Sequence, residues 1–206
     1  EVARDGCSRR ARLHEPRVPD LQGALSIAAR AGELGARRPT GQYRIRRLAA
    51  EDVETLNRRL PVWSSREYAR RLEAQDRGQL VEAIAWFGDV PGGRGMVLFP
   101  EHDEFSTSAV REGCAEVRDV FVVRPRRRLG VATALMEALE DAVRARGMLR
   151  VGLSVALDEE AAPARALYER LGYAVAHGPF VSSTDLIGDD GPIAVGAVMS
   201  YLVKEL

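Results

Sequence analysis

Four arginines, Arg124, Arg126, Arg127 and Arg128, crowd the seam in which an apolar run, VFVV, gives way to Gly130 and a helical-looking tail, VATALMEAL. A strand that feeds a helix through a short glycine-containing loop is suited to binding anions. The first N–H groups of the helix have no intrahelical acceptor, and the helix dipole favours negative charge there. Gly130 has no Cβ, so a phosphate oxygen could approach its backbone closely, and Ala132 keeps the same wall low. The arginines could pair with further phosphates. The pattern suggests a polyphosphate. The competing reading is a solvated loop in a chain that uses arginine for its surface, since Lys204 is the sole lysine among thirty basic residues.

Other chemistries fail on detail. A Walker loop needs Lys after its second Gly, and Lys204 is far from any such loop. The dinucleotide fingerprint G-x-G-x-x-G follows no predicted strand, and PGGRG (residues 91–95) reads as part of a hairpin turn. No G-x-S-x-G occurs, and His14, His102 and His177 are too scattered for a metal or a triad. Cys7 and Cys114 lack metal-ligand spacing and fit a reducing compartment. No metal is expected.

The elements that must position the seam follow from periodicity. Residues 43–48 read as a strand, 50–60 as a helix opened by Glu51 and Asp52, and 65–75 as a second, arginine-rich helix. Strands are predicted over 80–87 and 95–99, joined by GDVPGGR, then an acidic loop, then a buried strand over 116–123. Residues 130–146 form a helix with Ala132, Leu135, Met136, Leu139 and Val143 on one face. Strict alternation from Leu149 to Leu157 is a strand, and 161–171 is a helix with Pro163 in its first turn and Gly172 as its stop. Strands over 173–180 and 193–203 close an α/β fold, β-α-α-β-β-β-α-β-α-β-β.

Residues 1–41 differ from the rest. They hold eight arginines against five acids, a net +3, and no aromatic residue, which reads as a flexible extension before a domain over 42–206. A chain of 206 residues with 46% hydrophobic content can bury one core. Thirty basic and thirty acidic residues cancel, which argues against nucleic acid or an anionic membrane as partner. The longest apolar run, 193–203, is about half a membrane span, and no secretory leader opens the sequence. The expectation is a cytoplasmic protein, with the arginine and alanine bias of a bacterial coding sequence.

The segment Arg127-Arg128-Leu129-Gly130-Val131-Ala132 resembles the Q/R-x-x-G-x-G/A segment of the GCN5-related N-acetyltransferases. EVRDVFVV before it and ALYERLGY about 40 residues after it resemble that family's preceding strand and its A-x-x-L-Y-x-x-x-G-F/Y helix. The resemblance implies a mixed, mostly antiparallel central sheet of about six to seven strands flanked by four helices. It implies acetyl-coenzyme A as co-substrate, its pyrophosphate held by Arg127, Arg128, Leu129, Gly130, Val131, Ala132 and Thr133. It further implies that main-chain N–H groups of Val120, Phe121 and Val122 hold the acetyl carbonyl, if the strand splays from its neighbour. Many relatives carry Asn where this chain has Ala161, so a cofactor hydrogen bond there would fall to Asp158 or to the backbone.

Transfer to an amine needs a base, because a free alkyl amine has a pKa of about 10.4. Glu116, at the start of the strand, is the candidate base; the alternative is an ion pair with Arg118 on the same face. Asp119, on the opposite face by the strand period, is second choice. Tyr168 is the candidate acid for the departing thiolate, against a plain core aromatic. Residues 61–64, with Trp63 as a platform, and 180–191 would wall the acceptor site. Glu101, Asp103, Glu104, Asp185, Asp189 and Asp190 in nearby loops would suit a cationic acceptor. The function expected is acetylation of a small primary amine. A protein N-terminus or lysine as acceptor, or a non-catalytic acyl-coenzyme A sensor, stay open, as does a homodimer.

Overall fold

The computed structural model describes residues 43–100 and 113–206. The extension over 1–41 and the acidic loop with Glu101, Asp103 and Glu104 lie outside them. The elements run β1 (Arg44–Arg47), a 3-10 turn (Ala50–Asp52), α1 (Val53–Arg59), α2 (Glu67–Asp76), β2 (Leu80–Phe87), β3 (Val90–Leu98) and β4 (Ala115–Val122). A second 3-10 turn (Arg124–Arg126) leads to α3 (Val131–Ala145), β5 (Arg150–Ala156), α4 (Ala162–Arg170), β6 (Ala174–Gly188) and β7 (Gly191–Glu205). The seven strands form one sheet in the order β1-β2-β3-β4-β5-β7-β6. Every pairing is antiparallel except β4 with β5. The order of elements is the one that periodicity predicts.

Two stretches differ from expectation. PGGRG is strand, not turn: Trp86 pairs with Pro91 and Phe87 with Val90, so the turn is Gly88-Asp89 alone, with Gly88 at φ 62°. The glycines are there for close approach. A Cβ on Gly92 would stand 2.6 Å from the Phe87 ring, and one on Gly93 would be 3.0 Å from the Phe121 carbonyl oxygen. The stretch 180–191 is not a loop either. β6 and β7 are 15 residues each and pair to Gly188↔Gly191 around Asp189-Asp190. On one face of this arm the register partners Val181 (79% exposed) and Val198 (50%) stand open to solvent, so apolar residues on the open side blur the alternation that marks a half-buried strand.

The two faces of the sheet are packed differently. On one, α3 lays Val131, Leu135, Met136, Leu139 and Val143, all buried, against Ile45, Ala83, Val97, Val117 and Leu153. Each such aliphatic side chain contributes about 1.5–3 kcal/mol by burial. Glu140 interrupts that stripe at 3% exposure. Tyr173 Oη donates to it at 3.1 Å and Lys204 Nζ at 2.7 Å, so the sole lysine neutralises the one buried acid of α3. On the other face α1 and α2 cover β1–β3 with Leu56, Leu60 and Tyr68 over Leu48, Ile84 and Trp86. That cover ends before β4, and the functional side chains gather where it ends.

Candidate active site

The seam is built mostly from main chain. Gly130 caps α3 in the left-handed conformation (φ 81°), and no side chain caps the helix. The first helical bond runs from Ala134 N–H to the Gly130 carbonyl at 3.0 Å. The N–H groups of Val131, Ala132 and Thr133 therefore have no helical acceptor and face outward. Arg128 is also left-handed (φ 64°), and Arg127 to Gly130 are exposed. Consecutive N–H groups in such a turn make a concave anion nest.

The arginines divide. Arg127 donates through Nε to the Val122 carbonyl at 2.9 Å, tying the turn to the end of β4. The Arg126 guanidinium lies 4.2 Å from the Phe87 ring centroid. Arg124 and Arg128 are exposed at the same end. One contributor was missed in the sequence. Tyr43 brings its hydroxyl to 3.5 Å from where a Gly130 Cβ would stand. Burial, and then Glu137, raise its pKa, so it stays a proton donor at the edge of the nest.

In front of the nest the sheet opens. β4 pairs with β5 at Ala115↔Val151, Glu116↔Gly152 and Val117↔Leu153, and beyond Val117 its pairs are to β3 alone. The register on β3 jumps from Met96↔Arg118 to Arg94↔Phe121, so Asp119 and Val120 together oppose Gly95. This is a β-bulge, with Asp119 at φ 54°. Val123 N–H donates to the Gly92 carbonyl at 3.0 Å. By backbone alternation Phe121 N–H also faces β3, while those of Val122 and Val120 face the opened side. Donors fixed in this way suit an oxygen that gains charge during reaction.

The bulge also moves Asp119. Strand period would send it to the face opposite Glu116, but the extra residue turns its carboxylate onto Arg71 of α2. Arg71, 1% exposed, also meets Glu82 Oε2 at 3.0 Å and Glu67 Oε1 at 2.8 Å. Burial pushes the Glu82 carboxyl up to about 7, against the pull of Arg71. Glu116 is 5% exposed on this same face, 3.6 Å from Arg118 Nε. A Cβ on its register partner, Gly152, would lie 2.0 Å from Tyr201 Oη. Tyr201 of β7 therefore lies across β5 beside Glu116. Gly152, breaking an otherwise alternating apolar strand, is the sequence signal for that approach. Nothing in the sequence of α2 marks Arg71.

Tyr168 of α4 is 8% exposed among the α3-side core, edge-on to Tyr173 at 6.0 Å. Burial pushes its pKa up to about 12, so it holds its proton at neutral pH. Ala161 stands just before α4, and its N–H donates to Asp158 Oδ1 at 2.8 Å. Asp158 thus spends its carboxylate on the helix start. Trp63 is 45% exposed between α1 and α2. Asp189, at the tip of the β6–β7 arm, accepts from Ser64 Oγ at 2.9 Å, Ser65 Oγ at 3.0 Å and Ser65 N–H at 3.1 Å. Since β4 and β5 lie between β2–β3, the strands beneath α2, and the β7–β6 arm, the bond reaches across the opened pair. Among the described residues no group of His, Cys, Asp and Glu is placed to hold a metal ion, and no helix is long and apolar enough to cross a membrane.

Comparison with known proteins agrees with this geometry. No curated protein sequence matches the chain. In fold it is similar to an N-acetyltransferase from Staphylococcus aureus Mu50, with a TM-score of 0.57 and 13% identity over 80% of this chain and 99% of that one. It is also similar to a ribosomal-protein-alanine N-acetyltransferase from Brucella melitensis (TM-score 0.56, 15% identity, 79% and 99% covered). A third is a GNAT family acetyltransferase from Elizabethkingia anophelis with acetyl-CoA bound (TM-score 0.50, 11% identity, 81% and 100% covered). Residues 44–173, from β1 to the end of the α4 motif, match the family model described as the acetyltransferase (GNAT) family. That match covers more than half of the chain, which belongs to the GNAT family of acetyl-coenzyme A-dependent N-acetyltransferases.

Proposed function

We propose that the protein acetylates the primary amine of a small molecule by direct transfer from acetyl-coenzyme A. The observation that carries this reading is the splay of β4 from β5 beyond Val117, opening onto the free N–H groups at the start of α3. In it the N–H groups of Val131, Ala132 and Thr133, with Gly130, Arg127, Arg128 and Leu129 around them, hold the pyrophosphate. Val120 and Val122 N–H groups hold the acetyl carbonyl oxygen and stabilise the charge that grows on it.

Glu116 takes a proton from the incoming ammonium, directly or through water, so that a neutral amine attacks. Tyr168 gives its proton to the leaving thiolate; the phenolate left behind is a stronger base than that thiolate, whose acid has a pKa of about 8.5, and it takes up, directly or through water, the second proton that the nitrogen sheds as the amide forms. Trp63 borders the acceptor side. The bridge from Asp189 to Ser64 and Ser65 supports a small acceptor over a folded protein surface, because it spans the route by which a lysine on a large partner would enter.

Release of coenzyme A thiol, followed with a panel of small amines and of peptides, tests this reading. It requires turnover with at least one small amine, faster than with any peptide lysine. Acetyl-coenzyme A that binds but is never discharged to an amine would leave a binding protein instead.

A further inference from the structure

The acceptor face holds a second buried arginine, and its situation is the reverse of Arg71's. Arg94 of β3 is 6% exposed, and its Nε is buried with no hydrogen-bond partner. Its guanidinium carbon lies 5.2 Å from the Phe121 ring centroid, and its charge pulls the Glu82 carboxyl down. Among the described residues no carboxylate makes an ion pair with it. Arg71 meets three carboxylates, from Glu67, Glu82 and Asp119. A guanidinium carries five donors and keeps its charge. A buried Nε–H left without an acceptor is costly, so one that persists calls for an acceptor from outside the chain.

Its position says what that acceptor belongs to. Arg94 pairs with Phe121, the residue between Val120 and Val122, and Leu98, four residues along β3, pairs with Glu116. Arg94 and Glu116 therefore stand on one face of the same strand pair, about 13 Å apart along the backbone at 3.3 Å per residue. The acetyl position, at the Val120 and Val122 N–H groups, is level with Arg94 on the open side of β4. Phe121, 40% exposed, leaves an apolar surface beside Arg94. A single guanidinium fork matches a planar carboxylate. A phosphate dianion would meet Glu82, whose register partner Met96 is two residues from Arg94 on the same face, and Asp119 beyond it.

We propose that Arg94 binds a carboxylate of the acceptor, so that the substrate is a small amino acid-like molecule, with its amine at the acetyl position and its carboxylate on Arg94. This rests on the N-acetyltransferase reading above and names the acceptor class for that same site.

The test uses the full chain with acetyl-coenzyme A and matched probe pairs: β-alanine and β-alaninamide, 4-aminobutyrate and its amide, and α-amino acids with their amides. Rates are corrected for the free-amine fraction. The wild type should favour the carboxylate member by about tenfold or more in kcat/KM, a difference of about 1.4 kcal/mol. Arg94→Gln should bring that ratio to about one through KM, and Arg94→Lys, which keeps the charge but not the fork, should keep part of it. A wild type indifferent to the carboxylate, or a ratio that survives Arg94→Gln, would overturn the proposal; Arg94 would then only balance the neighbouring carboxylates.

Binding of the same probes to the coenzyme A-loaded protein, read by calorimetry, does not depend on turnover or on any variant folding. No carboxylate bound at concentrations on the order of 10 mM would overturn it as well. Failure of the underlying reading looks different: acetyl-coenzyme A would not bind, or no amine would release its thiol.

Discussion

The nest at the start of α3 and the face over β3 and β4 are made of different material. The nest is main chain: three N–H groups, a left-handed glycine and a strand edge left without a neighbour. Most of its side chains could change without altering the donors. The acceptor face is side chain. Arg71 comes from α2, Glu82 from β2, Arg94 from β3, Asp119 and Glu116 from β4, and Tyr201 from β7. The fold is shared at 11–15% identity, and a site made of main chain needs few particular side chains; on the reading proposed above, the assembled face sets selectivity.

Substitutions can break that contrast, and the largest effect belongs to Arg71. Arg71→Met leaves Glu67, Glu82 and Asp119 without their shared cation. It should cost about 3–5 kcal/mol, read as the shift of a denaturant midpoint. A loss below about 1 kcal/mol would mean the cluster is solvated and does not hold the bulge. Gly130→Val should weaken acetyl-coenzyme A binding roughly 10- to 100-fold, measured by calorimetry. The left-handed position would add about 1–3 kcal/mol of backbone strain. Tyr168→Phe should lower kcat about a hundredfold or more while the acetyl-coenzyme A dissociation constant stays put. An unchanged kcat would return Tyr168 to the core.

The smallest effect is a slope. Glu82 titrates near the ordinary 4.5 when unfolded and at about 7 when folded, because burial outweighs Arg71. Between those values the folded protein keeps a proton that the unfolded chain has lost, so stability falls as pH rises from 4.5 to 7 and is level above. Burial pushes Glu67 up too, but its hydrogen bonds to Arg70 and Arg71 hold it below its ordinary value. Its contribution is present above 4.5 and is lost as pH falls through that lower value. Glu82→Gln should therefore flatten the melting temperature between pH 5 and pH 7.5 in a titration series. A slope identical to wild type would assign the proton elsewhere.

The same contrast explains what could be read from sequence. The order of the elements was legible because α3 and β5 each bury one regular face, as Leu135, Leu139 and Val143 do in α3 and Val151, Leu153 and Val155 in β5. The nest was legible because Gly130 in its strand–helix context needs no partner from elsewhere in the chain. The acceptor face was not. Arg71 and Arg94 look like two more arginines in an arginine-rich chain until folding buries one among three carboxylates and the other beside Phe121. Asp119 was misplaced because a bulge adds one residue to a period of two. The β6–β7 arm was cut short because exposed strands carry little alternation. Asp189, expected to lend acidic character to the acceptor side, accepts hydrogen bonds from Ser64 and Ser65, a partnership the sequence does not signal.

The direct measurement is a titration of isotopically labelled full-length protein with acetyl-coenzyme A, following each backbone amide. A main-chain nest predicts that the largest shifts fall on Gly130, Val131, Ala132 and Thr133, with a second group on Val120 and Val122, all saturating together. Saturable binding whose shifts avoid the start of α3, or no binding at concentrations on the order of a millimolar, would contradict it.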